Sequence, residues 1–241
     1  RTNSSIIEEL KYIKKAGFKE IQLFDKVFGI PKPERIDLLK YLIKNNLTIP
    51  FSCYFHPSLY DPELLDLMKQ AKCHTIIIGI DSSDLKSLAM YKRNVSEKTL
   101  TKLINHANEL KINICGDFII GLPHENIQDI KNTISFSKKI NIDYASFNIA
   151  AAVPGSSFRK KAIEDGKINE KDLDETLHTK YSSGLINPDE LIRLRRYANF
   201  TFYFRPKMLL RRILRLKSFE HFFIQISQMM GIIFNNITKK N

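Results

Sequence analysis

Several clusters of polar side chains follow runs of β-forming residues, and their types suit the recognition of a small polar ligand. Asp81, Ser82 and Ser83 offer one carboxylate and two hydroxyls, which suit a ribose diol or an ammonium group. Lys92 and Arg93 lie further along the chain and suit a carboxylate. The sequence has no glycine-rich phosphate loop. The pattern therefore predicts a zwitterionic nucleoside as ligand rather than a nucleoside triphosphate.

Three further positions near the ends of predicted strands extend this candidate site. Asp25 follows the first strand, Gly121 would let the backbone approach a flat ring, and Asn148 offers both a donor and an acceptor. Each of them is more simply a turn or strand-end residue when it is taken alone. Their common position at strand ends is what favours a shared ligand.

These clusters need a scaffold that brings them to one edge, and the periodicity of the sequence predicts one. Apolar runs typical of strands alternate with stretches of helical spacing, and an amphipathic helix precedes the first run. The predicted strands span residues 18–24, 49–55, 75–80, 112–120 and 144–150. This alternation predicts a parallel sheet with right-handed crossovers, in which the carboxyl ends of the strands share an edge. The opening helix implies one more strand before Arg1.

Residues typical of helix termini support the same reading. Ser5 and Glu8 form a capping-box pattern, and Gly17 is placed to end the opening helix. Asp61 and Ser96 stand at predicted helix starts as side-chain caps. A further helix is expected after Asn187-Pro188, in a region that follows a polar stretch.

Charge and composition divide the chain into a nearly neutral body and a basic end. Net charge is +12, and residues 191–217 contain nine Lys or Arg and no Asp or Glu. We therefore expect a barrel-like domain over residues 1–165, a loop over 166–187 and a basic helical extension over 188–241. Peripheral contact of the amphipathic stretch 208–217 with an anionic membrane, and packing of its apolar face on the domain, both remain open. The apolar run 222–234 is too short and too polar to span a bilayer.

The three cysteines, Cys53, Cys73 and Cys115, do not have the spacing of a metal-binding loop. We expect them to be small buried residues. Their number and scatter also argue against a disulfide scaffold, which indicates a cytoplasmic protein.

The order of motifs resembles the radical S-adenosylmethionine superfamily, and most closely the class that often carries an N-terminal cobalamin-binding domain. The resemblance spans about residues 1–215. The stretches that carry it are Ile7–Leu10, Gly17–Ile21, Phe24-Asp25 with Phe28, Gly79–Ser82, Tyr91–Arg93, Phe118–Glu125, Pro154–Ser156 and Phe202–Pro206. The resemblance implies an α/β fold, a partial (β/α)6 TIM-like barrel with its first strand missing and a helical C-terminal tail.

The resemblance also implies which residues would contact S-adenosylmethionine at its methionine and ribose end. Asp25 lies in the region whose backbone receives the methionine amino group. Asp81 and Ser82 occupy the place of an acidic-Ser pair near the ribose and methionine, although the family more usually has Glu there. Lys92 or Arg93 would approach the carboxylate.

At the adenine end, the resemblance places Ile119 and Gly121 against the ring, with Asn148 nearby. Two departures from the family pattern stand out besides the acidic residue. Lys72 occupies a position where glycine often precedes the third visible strand, and His124 one where glycine is common.

The cysteine motif C-x3-C-x2-C of the family is absent, and we expect it just upstream of Arg1, where it would hold a [4Fe–4S] cluster. The chain without that segment is expected to be inactive. By resemblance, the full protein takes a small-molecule or lipid-like substrate and an electron donor such as flavodoxin or ferredoxin. Cobalamin upstream would indicate methyl transfer.

Two other functions remain open at this stage. One is a tRNA methylthiotransferase of the same superfamily, although the predicted helical tail differs from the RNA-binding β-barrel expected there. The other is a non-catalytic barrel that binds a nucleoside or a protein partner. Nucleic acid is the less favoured partner because the basicity is confined to the tail.

Overall fold

Helices and strands alternate along the chain as the periodicity predicts. The computed structural model describes residues 2–84, 88–89, 96–122, 125–164, 166, 186–206, 208 and 210. In chain order, the elements are α1 (Asn3–Lys15), β1 (Ile21–Phe28), α2 (Lys32–Lys44), β2 (Phe51–Phe55), a 3-10 turn (Pro57–Leu59), α3 (Pro62–Gln70), β3 (Cys73–Asp81), α4 (Glu97–Glu109), β4 (Asn113–Ile120), α5 (Ile127–Lys139), β5 (Tyr144–Ile149), α6 (Ser157–Glu164) and α7 (Pro188–Tyr203).

The strands form one five-stranded sheet in the order β1-β2-β3-β4-β5. β1 pairs with β2 in parallel, and β2 pairs with β3 in parallel. Every crossover between consecutive strands contains a helix, because parallel neighbours need a long connection. The predicted α/β class and parallel sheet are confirmed.

Two local predictions at the start of the chain are wrong. Thr2 caps α1, since its side chain accepts a hydrogen bond from the Ser5 backbone N–H at 3.3 Å, so Ser5 lies inside the helix. β1 continues to Phe28 across a register irregularity that begins after Leu23, so Asp25 lies within the strand rather than after it. The bulge lets polar residues continue a strand that the apolar pattern ends earlier.

The other predicted helix starts are confirmed. Asp61 accepts a hydrogen bond from the Leu64 N–H at 3.0 Å, and Ser96 accepts one from the Thr99 N–H at 3.1 Å. Asn187 caps α7 through the Asp189 N–H.

Each of the helices α2, α3 and α4 is followed by a residue with a left-handed backbone conformation. Asn46, Lys72 and Lys111 have φ of 51°, 73° and 56°, respectively, and each stands shortly before the next strand. This conformation turns the chain from helix to strand and is easiest for glycine. Glycine, which the resemblance implies is common at the position of Lys72, would therefore suit this backbone.

The chain divides into two compact units. The first comprises Arg1–Ile80, Arg93–Asp117 and Ile140–Tyr144, and the second comprises Asp81–Lys92, Phe118–Lys139 and Ala145–Asn241. In the first unit, alternate residues of β2 and β3 are buried. The bulkiest of these buried side chains are Phe51, Phe55, Ile76 and Ile78. The opposite residues of both strands are half-buried. This alternation gives the strands of the first unit one core face and one open face.

The predicted burial is confirmed for Cys53 and Cys73 and only partly for Cys115. Cys53 and Cys73 are buried in the first unit and Cys115 is partly buried. A hydrogen bond with Cys73 and burial raise the pKa of Cys53, and burial together with Asp117 raises the pKa of Cys115 to about 12. Both thiols stay protonated at neutral pH, and no group of three or more metal-binding side chains occurs among the described residues.

Aromatic packing holds α7 against the sheet in the second unit. Phe118 stacks on Phe147 with ring centroids 5.1 Å apart, and Phe202 meets Phe147 edge-on at 6.5 Å. Tyr203 donates its hydroxyl proton to the Ala145 carbonyl at 2.8 Å and accepts from the Ala145 N–H at 3.2 Å. The hydroxyl therefore satisfies both backbone groups of a residue on the last strand of the sheet.

Within the described part of the chain, no helix has the length and apolarity needed to cross a membrane. The predicted loop 166–187 lies almost entirely outside the described residues. The same holds for most of the amphipathic stretch 208–217 and for all of the apolar run 222–234. The division at 165 and 187 therefore stays a prediction.

Replacement of Tyr203 by Phe should lower the free energy of unfolding by about 1–3 kcal/mol, because it leaves the buried Ala145 groups without their partner. Urea unfolding followed by circular dichroism measures the change. Tyr197→Phe is the matched control, since Tyr197 lies on the same helix with its side chain 51% exposed. An equal loss in the two variants would contradict the role of the hydroxyl.

Candidate functional site

The loop after β4 is organised by a buried carboxylate. Glu125 is 0% exposed. Its Oε2 accepts hydrogen bonds from the Gly121 N–H at 2.8 Å and the Leu122 N–H at 2.9 Å. The carboxylate thus supplies partners to two buried backbone donors that have just left the strand.

The same carboxylate reaches the loop after β3. The Ser82 hydroxyl donates to Glu125 Oε1 at 3.2 Å and accepts from the Asp84 N–H at 3.1 Å. Thr133 of α5 lies within 3.2 Å of the Ser82 hydroxyl and accepts from the Ser83 N–H at 3.1 Å. Glu125 and Thr133 therefore fix the ends of two neighbouring strands in the second unit.

Burial and hydrogen bonding act on Glu125 in opposite directions. Burial raises the pKa of this carboxyl above its ordinary value of 4.5, and the hydrogen bonds from Leu122, Gly121 and Ser82 pull it back down. Asp129 adds a smaller upward contribution. The net pKa is raised, so the native fold binds the proton of Glu125 more tightly than the unfolded chain does.

Asp81 ends β3 in an unusual backbone conformation. Its φ is 61°, in the left-handed region, and the residue is 9% exposed. A residue other than glycine in this conformation costs about 1–3 kcal/mol and is typical of binding loops that hold a side chain in one direction. Aspartate tolerates this conformation better than most residues because its short side chain bonds locally.

Gly121 is required by its backbone and by the packing of α7. Its φ is 81°, and a Cβ atom at this position would lie 2.9 Å from both Cδ atoms of Leu191. Leu191 therefore occupies the space that a side chain at position 121 would need. The predicted approach of a flat ring to Gly121 stays a prediction, and such a ring would need to approach another side of the backbone.

The predicted site residues fall into three groups: those in the second unit, Asp25 in the first unit, and those outside the described residues. Within the second unit, Asp81, Ser82 and Gly121 are brought together by contacts through Glu125 and its neighbours. Ile119 packs with an apolar cluster of Leu122, Ala150, Ala152 and Phe158. Asn148 is exposed, and its side-chain amide donates to Ser146 at 3.2 Å.

Asp25 lies in the first unit with its side chain 54% exposed. Its Oδ2 is 4.0 Å from Nη2 of Arg35 on α2. Lys92 and Arg93 lie outside the described residues, as do Pro123 and His124.

Sequence reasoning assigned no role to Glu125, Thr133 or Leu191. Glu125 belongs to the Phe118–Glu125 motif, so its position carried a signal, but a role for it needs the fold. Thr133 is one polar residue on the buried side of α5, and Leu191 is an ordinary apolar position on α7. Neither has a sequence signal, because their partners lie 50 or more residues away.

In the second unit, Asp81, Ser82, Gly121 and Leu122 form a strand-end rim in which Asp81 is buried. Hydrogen bonds to Glu125 and Thr133 hold the backbone of the rim. Such a rim can accept hydrogen bonds from hydroxyl or ammonium groups of a ligand and hold that ligand in one orientation. The described residues contain no set of thiols that fits an iron–sulfur cluster.

Comparison with protein families matches residues 1–137 to the Radical SAM superfamily. This range contains β1 to β4, most of α5, and the loops at Asp81 and Gly121.

Two curated relatives illustrate the range of similar sequences. The chain is 28% identical over 223 residues to an uncharacterized methyltransferase of Pyrococcus horikoshii, covering 90% of this chain and 47% of the relative. It is 26% identical over 190 residues to the tRNA-2-methylthio-N(6)-dimethylallyladenosine synthase of Buchnera aphidicola, covering 68% of this chain and 41% of that protein. The chain thus spans less than half the length of these relatives.

A solved structure shares the fold. The radical S-adenosylmethionine methyltransferase TsrM of Kitasatospora setae, solved with cobalamin and a [4Fe–4S] cluster bound, superimposes with a TM-score of 0.58 at 18% identity. The similarity covers 62% of this chain and 31% of TsrM. At this level of identity the likeness concerns the fold, which is the predicted partial TIM-like barrel.

Replacement of Glu125 by Gln should change the pH dependence of stability. Because the folded pKa of Glu125 is raised, its contribution is complete below pH 4.5 and is lost as the pH rises through the folded pKa. The free energy of unfolding of the wild type relative to E125Q should therefore fall as the pH rises above 4.5. Urea unfolding of both proteins across a pH series measures this difference.

E125A serves as the companion variant. It leaves the Gly121 and Leu122 N–H groups without an acceptor, at about 1–3 kcal/mol for each buried group. A pH-independent difference between the wild type and E125Q would show that Glu125 does not titrate with a raised pKa.

Gly121→Ala should destabilise the protein more than Gly17→Ala does. Both glycines have φ of 81°, but a Cβ at Gly17 meets nothing within 4 Å, whereas at Gly121 it overlaps Leu191. The left-handed backbone should lower the free energy of unfolding of both alanine variants by about 1–2 kcal/mol. Overpacking against Leu191 should lower that of Gly121→Ala by about a further 1–3 kcal/mol. Thermal and urea unfolding measure both variants. Equal losses would mean that Leu191 moves away without cost.

Proposed function

Because the chain belongs to the radical S-adenosylmethionine superfamily, we propose that it is the part of a methyltransferase that binds S-adenosylmethionine. Cobalamin and a [4Fe–4S] cluster would be held by other parts of the protein. The observation that carries the proposal is the family match over residues 1–137 combined with the strained, buried Asp81 at the end of β3.

The described residues suit the ribose and methionine end of S-adenosylmethionine. The Asp81 carboxylate is a charged acceptor for the ribose hydroxyls or for the ammonium group of the methionine moiety. The loops of Ser82 and Gly121 are tied together by Glu125, which limits how far the rim can relax around a ligand. Lys92 or Arg93 is the proposed partner of the carboxylate.

The described residues do not suit an iron–sulfur cluster. The hydrogen bond with Cys73 and burial raise the pKa of Cys53, and burial and Asp117 raise that of Cys115. Among the described residues, no three metal-binding side chains lie together. We therefore assign the cluster ligands to a part of the protein outside the described residues.

The role of this chain is then to bind and orient. S-adenosylmethionine, when bound, supplies the methyl group. The positioned carboxylate of Asp81 fixes the ligand by its polar end, and the buried rim around Glu125 keeps water from the backbone on which the ligand rests. Methyl transfer is favoured over other chemistry by the methyltransferase relative and by the fold shared with TsrM.

Methylthiolation of tRNA is the second candidate. The synthase of Buchnera aphidicola covers 68% of this chain, and residues 191–217 are strongly basic. The cofactor content of the full-length protein distinguishes the two candidates. Cobalamin that co-purifies with it, seen by its visible absorption, supports methyl transfer, and a second iron–sulfur cluster without cobalamin supports methylthiolation.

Replacement of Asp81 by Asn should weaken S-adenosylmethionine binding by about tenfold or more, because charge-assisted hydrogen bonds are lost while Asn keeps the left-handed backbone. Equilibrium dialysis of the full-length, anaerobically reconstituted protein with S-adenosylmethionine measures this. Asp37→Asn, at an exposed carboxylate of α2, is the control.

Two outcomes would contradict the proposal at different levels. Unchanged binding by D81N would remove Asp81 from the site but leave the function standing. Absence of S-adenosylmethionine binding in the reconstituted wild type would overturn the function itself and favour a non-catalytic binding barrel.

A further inference from the structure

The outward face of α7 carries large apolar side chains that the fold does not use. Tyr197 and Phe200 are 51% and 56% exposed. Phe204 stacks on Phe200 with ring centroids 4.6 Å apart, so the pair forms one continuous apolar surface. Leu210, shortly beyond the helix, is 58% exposed. Exposed apolar residues that cluster in one segment are typical of interaction surfaces.

Helical spacing explains why these residues share a face. The buried residues of α7 include Leu191, Leu194, Ala198 and Phe202, which recur at helical spacing and point toward the sheet. The residues at 193, 197, 200 and 204 fall on the other side of the helix. The core is therefore already complete without them.

Two arginines lie beside these aromatic residues, and one of them, Arg193, is paired with Glu190. Arg193 lies one turn before Tyr197, with its side chain 75% exposed, and Arg196 is beside it. The acidic residues of α7, Asp189 and Glu190, are confined to its first turn, and Glu190 lies 3.5 Å from Arg193. From residue 191 to residue 217 the sequence has nine basic residues and no acidic one.

We infer that this aromatic–basic face of α7, formed by Arg193, Arg196, Tyr197, Phe200 and Phe204, docks onto an anionic lipid surface. Apolar rings flanked by arginines on one helix face match the boundary between acyl chains and negatively charged headgroups. The Phe200–Phe204 pair presents its two stacked rings as one apolar surface. A bilayer accommodates such a surface, whereas nucleotide binding needs aromatic rings that are open to individual bases.

The face is distant from the strand-end rim along α7. Leu191 of the same helix contacts the position of Gly121, and Phe200 and Phe204 lie 9 to 13 residues further on. At 1.5 Å per residue, this separation is about 14–20 Å. The face therefore attaches the protein to a membrane surface without forming part of the ligand site, and this inference does not depend on the proposed function.

Vesicle co-sedimentation of the full-length protein tests the inference. We expect binding to phosphatidylcholine vesicles that contain phosphatidylglycerol, much weaker binding to pure phosphatidylcholine, and weakening by added NaCl. Arg193→Gln with Arg196→Gln should lower the partition coefficient by about fivefold for each charge removed. Phe200→Ser with Phe204→Ser should lower it at both low and high salt.

The control variant is Tyr41→Ser, which removes an aromatic ring that is 42% exposed on α2 and should leave binding unchanged. Circular dichroism and thermal unfolding verify that all variants are folded. The inference is overturned if the wild type does not bind the anionic vesicles, if the Phe200/Phe204 variant binds like the wild type, or if tRNA displaces the protein from vesicles by occupying the same face.

Discussion

The ion-dipole and hydrogen-bond contacts of one buried carboxylate, Glu125, determine the geometry of the strand-end loops in the second unit. A carboxylate taken out of water is costly unless its oxygens find donors, and here they find the N–H groups of Gly121 and Leu122 and the hydroxyl of Ser82. The relation is mutual, since those donors are themselves buried. Loss of either partner would leave the other unsatisfied, so Ser82, Gly121 and Leu122 are held in one arrangement.

This constraint explains how a strained residue persists nearby. Asp81 directly precedes Ser82, which is fixed by Glu125 and Thr133. The left-handed backbone of Asp81 is therefore imposed by neighbours whose hydrogen bonds outweigh its conformational cost. A carboxylate held in this way loses little further freedom when a ligand arrives, which is the physical advantage of preorganisation.

The sequence was sufficient for the strands and most helix starts, because apolar periodicity and caps such as Asp61 and Ser96 are local signals. It failed at β1, where a bulge carries the strand past its apolar residues to Phe28. It also failed to assign roles at the candidate site, for a different reason. The hydrogen bond from Ser82 to Glu125 joins residues 43 positions apart, and the contact that requires glycine at 121 comes from Leu191. Such pairings follow from topology and not from neighbouring residues.

The two ends of the sheet differ in a way that concerns assembly. At β5, Tyr203 of α7 occupies both backbone groups of Ala145, so at this residue the edge offers little to another chain. At β1, the described residues include no strand paired on the side away from β2. Growth of the sheet by a further strand is thus polarised toward β1. Removal of α7 would abolish that polarity and turn a one-sided sheet into one that can pair with foreign strands at both ends.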